Sequence, residues 1–204
     1  MGSTECNPRR QGVTRGKPSW STLIRMGSRY PAIGLEHRAF IECQPMYFVA
    51  TAAPDGRVNL SPKGMDSLRV LDANRVIWLN GTGSGIETAA HLLEHPRMTL
   101  MFCAFEGKPL ILRLYGTARA VHPRDADWLL LKALLPDVVG ARSIFDLSVD
   151  LVQSSCGMAV PLMNLQAQRE DLSDHWRKNA DLEGYWRRKN VTSLDGKPTR
   201  IFGD

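Results

Sequence analysis

The sequence predicts a mainly β fold, an antiparallel barrel with α elements, and three features carry that reading. Short apolar, partly β-branched runs recur between Met46 and Ser155, the composition of strands. Tight polar stretches divide them: Pro54-Asp55-Gly56, Asp72-Ala73-Asn74 and Glu106-Gly107-Lys108. Connections that short join antiparallel neighbours, whereas parallel strands need long crossovers. Helical patterns intrude at only a few points, which argues against a doubly wound sheet.

Taken in order, Leu35, Ala39, Phe40 and Cys43 stand near helical spacing, so a short helix covers 35–44. MYFVATAA (46–53) reads as a strand, and RVNLS answers it across the Pro54 turn as a hairpin. LRVLDANRVIWLN contains two strands around Asp72 to Asn74. A helix follows from Glu87, and Pro96 ends it and biases His95 away from helical geometry. RMTLMFCAF (97–105) and PLILRLYGTARAV (109–121) are two more strands. PRDADWLLLKALLP (123–136) reads as a helix between two prolines. SIFDLSVDLVQSS (143–155) alternates as a long strand with imperfect phase. The charged run from Gln166 to Asn190 is a further helix, weakened at Gly184. No repeat or interdomain linker is visible, so residues 29–204 form a single domain.

Residues 1–28 form a basic N-terminal extension, rich in Gly, Pro, Ser and Thr and expected to be disordered. Its opening Met-Gly lacks the Ser or Thr of a myristoylation motif, since Cys6 stands there. It is Arg-rich like a transit peptide but has no clear apolar face, and Met26 offers a second plausible start. A dispensable extension is therefore expected rather than a targeting segment. Of the net charge of +5, residues 1–25 hold five basic side chains against Glu5 alone. The remainder carries 21 basic and 20 acidic side chains, a poor footprint for nucleic acid. No apolar run approaches the roughly 18–20 residues of a membrane span. The four scattered cysteines, Cys6, Cys43, Cys103 and Cys156, suggest reduced thiols and a cytoplasmic protein, with neither a disulfide framework nor a zinc site.

The stretch LNGTGSGIETAAHLLEHP (79–96) raises the question of an anion site. Ser84 and Glu87 fit the Ser-x-x-Glu capping box. Gly81, Gly83 and Gly85 suggest bends that turn several N–H groups toward one point. The helix start adds partial positive charge, and Thr82, Ser84 and Thr88 add hydroxyls. The spacing matches neither a Walker loop nor a dinucleotide fingerprint, so phosphate binding and a plain turn both stay open. Lys63, in NLSPKGMD, is placed to reach such a phosphate.

The order strand, turn, NLSPKG, strand pair, LNGTGSGIETAAHL, HPRMTLMFCAFEG and LILRLYGTARAV resembles the pyridoxamine 5′-phosphate oxidase-like FMN-binding family, from about Tyr30 to about Pro161. TGSGIETAAHL and MFCAFEG resemble an uncharacterised branch of it. The resemblance implies a six-stranded Greek-key split barrel that forms a homodimer with FMN at the interface. It implies cofactor contacts from Asn59, Leu60, Ser61 and Lys63 on one strand, and from Trp78, Leu79 and Asn80 on another. The phosphate site falls on Thr82, Gly83, Ser84, Gly85 and Thr88, while Arg113 and Tyr115 would face the partner's flavin. Two departures stand out. Glu87-Thr88 occupies the place where many relatives carry an Arg-Lys phosphate clamp. The chain also ends GKPTRIFGD, without the Arg-Leu-x-Pro substrate motif of a genuine pyridoxamine 5′-phosphate oxidase.

Other sites are weak in the sequence. His91 and His95 have ligand spacing, but no HExxH motif supports a metal. Cys156 in SSCGMAVP shows no neighbour that would lower its pKa. No catalytic acid, base or nucleophile is evident. Two functional classes remain: a flavin-dependent oxidoreductase acting on a small molecule, or a non-catalytic split barrel that holds a flavin, deazaflavin or haem.

Overall fold

The structure, a computed structural model, describes residues 24, 25 and 27–203. Eight strands form one antiparallel sheet: β1 (Arg29–Tyr30), β2 (Tyr47–Thr51), β3 (Asn59–Lys63), β4 (Leu68–Asp72), β5 (Arg75–Gly81), β6 (Arg97–Cys103), β7 (Ile111–Val121) and β8 (Ala141–Ser155). Among the described residues, five helices accompany it: α1 (Leu35–Cys43), α2 (Glu87–Glu94), α3 (Trp128–Lys132), α4 (Asp171–Lys178) and α5 (Leu182–Lys189). The spatial order is β3-β2-β6-β7-β8-β5-β4, with β1 beside β8. The six strands expected are therefore eight, and β3 and β4 are not paired with each other.

That order places two consecutive strands, β3 and β4, on opposite edges. Residues 64–67 connect them and reach at most about 18 Å fully extended. The sheet must therefore curl until its edges nearly meet, which leaves a seam rather than a closed ladder. Met65 and Asp66 turn this connection in left-handed backbone, with φ of 60° and 54°. Neither is glycine, so the turn carries strain at the seam. Ser67 completes it by accepting the Leu79 N–H at 2.8 Å.

The curled sheet encloses the main core. Trp78 stacks on Phe145 with ring centroids 4.5 Å apart, and Tyr47 on Phe102 at 5.7 Å. Leu100, Leu112, Leu114 and Leu147 are fully buried around them. A smaller cluster on the other face of β5 and β8 packs Ile77, Leu79 and Ile144 against Trp128, Leu131 and Leu135.

Three elements depart from the sequence expectation for identifiable reasons. The imperfect phase of the long strand is a bulge: Tyr115 pairs with Leu151 but Gly116 with Val149, so Asp150 is skipped. A Cβ on Gly116 would lie 1.9 Å from the Ser148 carbonyl oxygen. Gly116→Ala is thus expected to lower stability by at least about 1–3 kcal/mol, the usual cost of overpacking, read as a lower urea midpoint at unchanged slope. The helix expected over 123–136 shrinks to α3, because Asp125 instead caps a turn by accepting the His122 N–H at 2.8 Å. The helix expected over 166–190 breaks in two at Asn179. The Asp181 side chain caps α5 through the Gly184 N–H at 2.8 Å, and a Cβ at Gly184 would lie 1.9 Å from that carboxylate. Gly184 serves the cap rather than weakening a helix.

Residues 1–23 and 26, which fall within the expected N-terminal extension, lie outside the described residues. Ser28, at its end, is tied to β8 through the Ser154 N–H at 3.0 Å. Cys103 and Cys156 carry free thiols, Cys103 buried and Cys156 exposed. No helix among the described residues is long and apolar enough to cross a membrane.

Candidate anion and ring-binding site

The seam opens a cavity of about 410 Å³, within the usual range for small-molecule sites of roughly 300–1,000 Å³. One wall is β3 with the 64–67 connection, and another is the end of β5 with the glycine loop and the start of α2. Val138, Leu172 and Trp176 close an apolar end.

Sequence expectation and structure meet unevenly here. Asn59, Ser61, Lys63, Leu79, Asn80, Thr82, Gly83, Ser84, Gly85 and Thr88 all line the cavity. Leu60 does not: the alternation of β3 turns it outward, 64% exposed. Trp78 is fully buried in the core and meets the site only indirectly, beneath the Lys63 ammonium at 5.5 Å. Arg113 and Tyr115 lie outside the cavity, bonded to Ser155 and Gln153 of the neighbouring strand.

The glycines work differently from the expected bends. None of Gly81, Gly83 and Gly85 is left-handed. Gly81 is glycine because the Trp176 ring lies against it: a Cβ there would sit 2.3 Å from that ring. Gly140 meets the same ring, at 2.0 Å. The indole is thus held between two glycines, and its Nε1 donates to the Thr82 carbonyl at 2.8 Å. Trp186 adds a second indole, donating to Thr82 Oγ1 at 2.9 Å.

Beneath the loop lies Arg142, which the sequence reading missed. It is 1% exposed on β8. Its Nη1 donates to the Gly83 carbonyl at 2.8 Å and to Asn190 Oδ1 at 2.7 Å, and its Nη2 to the Gly85 carbonyl at 2.7 Å. Its Nε is buried with no partner among the described residues. The loop carbonyls therefore face inward to Arg142. The N–H groups of Gly83 to Thr88 donate to no acceptor among the described residues, and all six residues line the cavity.

The expected capping box is absent. Ile86 is the N-cap of α2, with no side-chain cap. Glu87 instead accepts the Leu194 N–H at 2.9 Å from the C-terminal segment. Thr88 Oγ1 and Thr51 Oγ1 both accept from Asn59 Nδ2, at 3.1 and 3.3 Å. Buried His91 extends this chain through its Nδ1 contact with Thr51 at 3.1 Å. His95 caps the other end of α2 in extended backbone, so the two histidines do not share a helical face.

The cavity lining holds two cations, Lys63 and Arg142, and one acid, Glu87, whose carboxylate accepts the Leu194 N–H. Burial first, then the Arg142 charge, pushes the Lys63 ammonium down to about 8. Burial pushes the Arg142 guanidinium down to about 10, with only the Tyr185 phenol opposing. Among the described residues no carboxylate pairs with either cation. A buried cation such as Arg142 is costly without a counter-charge, and it shares with half-buried Lys63 a cavity lined by unclaimed N–H groups. The arrangement suits an anion joined to an apolar or aromatic body.

Comparison with known proteins identifies the family. The family model described as pyridoxamine 5′-phosphate oxidase matches residues 33–156. The pyridoxamine 5′-phosphate oxidase family protein ustO of Aspergillus flavus is 35% identical over 176 residues, 76% of this chain and 70% of that protein. Among solved structures, HupZ from Group A Streptococcus aligns at a TM-score of 0.46 and 20% identity, covering 58% of this chain and 91% of that one. A pyridoxamine 5′-phosphate oxidase-related, FMN-binding protein of Nostoc punctiforme aligns at 0.41 and 15%, covering 54% and 73%. With the family model covering more than half of the sequence and a relative matched over most of its own length, the chain belongs to the pyridoxamine 5′-phosphate oxidase family.

Proposed function

We propose that the cavity binds FMN by its phosphate and that the protein is a flavin-dependent oxidoreductase acting on a small molecule. One observation carries this reading: Lys63 and Arg142 line one cavity, neither is paired with a carboxylate among the described residues, and the one acid in the lining, Glu87, is engaged by the Leu194 N–H. A phosphate dianion supplies the missing charge and the acceptors that the loop N–H groups lack. Arg142 also takes the place of the Arg-Lys clamp, from a strand distant in sequence. The residues present fit FMN: a lysine, unclaimed backbone N–H groups and hydroxyls for the phosphate, and an apolar end for the ring.

In this reading Lys63, the amides of residues 83–88 and the Thr88 hydroxyl hold the phosphate. Asn59, whose amide is already spent on two threonines, presents its carbonyl to ribityl hydroxyls. Leu79, Val138, Leu172 and Trp176 exclude water from the apolar end. FMN supplies reversible hydride and electron transfer when bound. The chain contributes position and a positive field, which favours the reduced, anionic ring. Arg113 and Tyr115 stand half-buried on the outer face of β7. They would reach the cofactor of a second copy in a homodimer of split-barrel subunits. Gel filtration tests that assembly, and elution as a monomer would contradict it.

Purified protein should be yellow, absorb near 450 nm (an approximate flavin property) and release FMN identifiable by mass. Bleaching by NADH or NADPH with reoxidation in air would mark an enzyme. Bound FMN that no reductant bleaches would mark a reservoir. Colourless protein that takes up no added FMN would overturn the reading.

The pH dependence follows from Lys63. In the free protein its ammonium titrates at about 8, and a bound phosphate raises that value. Above about pH 8 binding must therefore take up a proton, and FMN affinity is expected to fall by up to about tenfold per pH unit. Lys63→Gln should weaken binding at pH 7 and flatten this dependence. Calorimetric titration from pH 7 to 10 reads both, and a wild-type affinity independent of pH would exclude Lys63 from the site.

A further inference from the structure

We propose that Asn190 is a positioning residue that aims Arg142 at the anion site while leaving its charge unneutralised. The inference rests on the FMN reading above and goes beyond it, because Asn190 lies outside the cavity lining and belongs to the C-terminal segment.

Asn190 is fully buried. Its Oδ1 accepts from Arg142 Nη1 at 2.7 Å, and its Nδ2 donates to the Gly83 carbonyl at 3.0 Å and the Ser84 carbonyl at 3.4 Å. One side chain thus fixes both the guanidinium and the loop it supports. Asn190 is itself held at both backbone ends. Its N–H donates to the Trp186 carbonyl at 2.8 Å, and its carbonyl accepts the Thr199 hydroxyl at 2.5 Å. The amide is therefore preorganised before any ligand arrives.

The chemistry of the side chain matters as much as its geometry. Every acceptor that Arg142 uses is neutral: two peptide carbonyls and one amide oxygen. A buried arginine is ordinarily paired with a carboxylate. Aspartate at position 190 has the same shape and would form that pair, cancelling the field that attracts a phosphate. Asparagine satisfies the same N–H and leaves the charge available.

The test compares FMN with riboflavin, which lacks the phosphate, in wild type and in Asn190→Asp. The ratio of the two affinities isolates the phosphate contribution. Asn190→Asp is expected to lower that ratio by at least about tenfold, the effect of quenching one charged partner. Riboflavin affinity should stay within about threefold, and FMN binding should become less sensitive to salt. An unchanged ratio, equal losses for both ligands, or a lowered ratio with undiminished salt sensitivity would overturn the proposal, the last because loosening the loop alone lowers the ratio without quenching the charge. Should Asn190→Asp not fold, Asn190→Ala removes the aim but keeps the charge, and its ratio is expected to fall as well; an unchanged ratio overturns the proposal. The wild-type ratio is measured first. A value near one overturns the phosphate reading itself, and this inference with it.

Discussion

Arg142→Met is expected to lower FMN affinity by at least about 100-fold, because it removes one of two cations and the support of the loop carrying the N–H groups. Stability should move less than affinity, and the reason is a near-balance. The substitution leaves buried Asn190 Oδ1 and the part-buried Gly85 carbonyl without a donor, while the Gly83 carbonyl keeps Asn190 Nδ2, at up to about 1–3 kcal/mol for each group left unsatisfied. Against that, burial has pushed the guanidinium down to about 10. At about 1.4 kcal/mol per pH unit, relief of that burial returns roughly 3 kcal/mol. Fluorescence titration with FMN and urea unfolding of the free protein separate the two effects. Loss of stability with FMN affinity intact would place Arg142 in the scaffold alone.

Trp176→Ala carries the second large effect, on stability. The indole fills the space between Gly81 and Gly140 and is 3% exposed. Its loss is expected to cost about 3–5 kcal/mol, as for other buried aromatic truncations. It also removes the donor to the Thr82 carbonyl and unpins α4 from the loop. Trp176→Phe keeps the ring contact and loses only that hydrogen bond, about 1 kcal/mol. Unfolding midpoints read the difference. Limited proteolysis of the Ala variant should cut near residues 165–180 well before the barrel is attacked. Equal midpoints for the two variants would show that the ring does not anchor the segment.

The parts of this architecture legible in the sequence are those set by local chemistry. Short turns at Pro54 and Asp72 mark β2–β3 and β4–β5, and Pro96 ends α2 at His95. Lys63 and the glycine loop draw notice because their residue types are unusual where they stand. What escapes the sequence depends on contacts distant along the chain. Arg142 lies about 57–59 residues from the loop carbonyls it supports. Its one local signal is a charged residue opening the strand sequence RSIFDL. Gly81 looks like a bend residue until the Trp176 ring, 95 positions on, is seen against it. Glu87 reads as a cap because Ser84 is three residues back, yet the Leu194 N–H claims its carboxylate. The alternation of β3 alone turns Leu60 outward. It joins the expected cofactor contacts only because the resemblance treats that strand's backbone as a unit.

The C-terminal segment is where sequence reading and structure differ most in consequence. Two indoles, Asn190, the Leu194 N–H and Lys197 all bind the glycine loop or its helix, with Lys197 reaching Glu94 at 2.9 Å. None of these residues forms a motif. They act together because the chain returns across the seam that β3 and β4 leave open.

The most direct measurement is the affinity of the wild-type protein for FMN and for riboflavin at pH 7 in one buffer. If two desolvated cations hold the phosphate, FMN should bind at least about 100-fold tighter, since each charged hydrogen bond contributes roughly 1.5–3 kcal/mol. Affinities within about threefold of each other would mean that Lys63 and Arg142 do not grip a phosphate, and the account would be wrong at its centre.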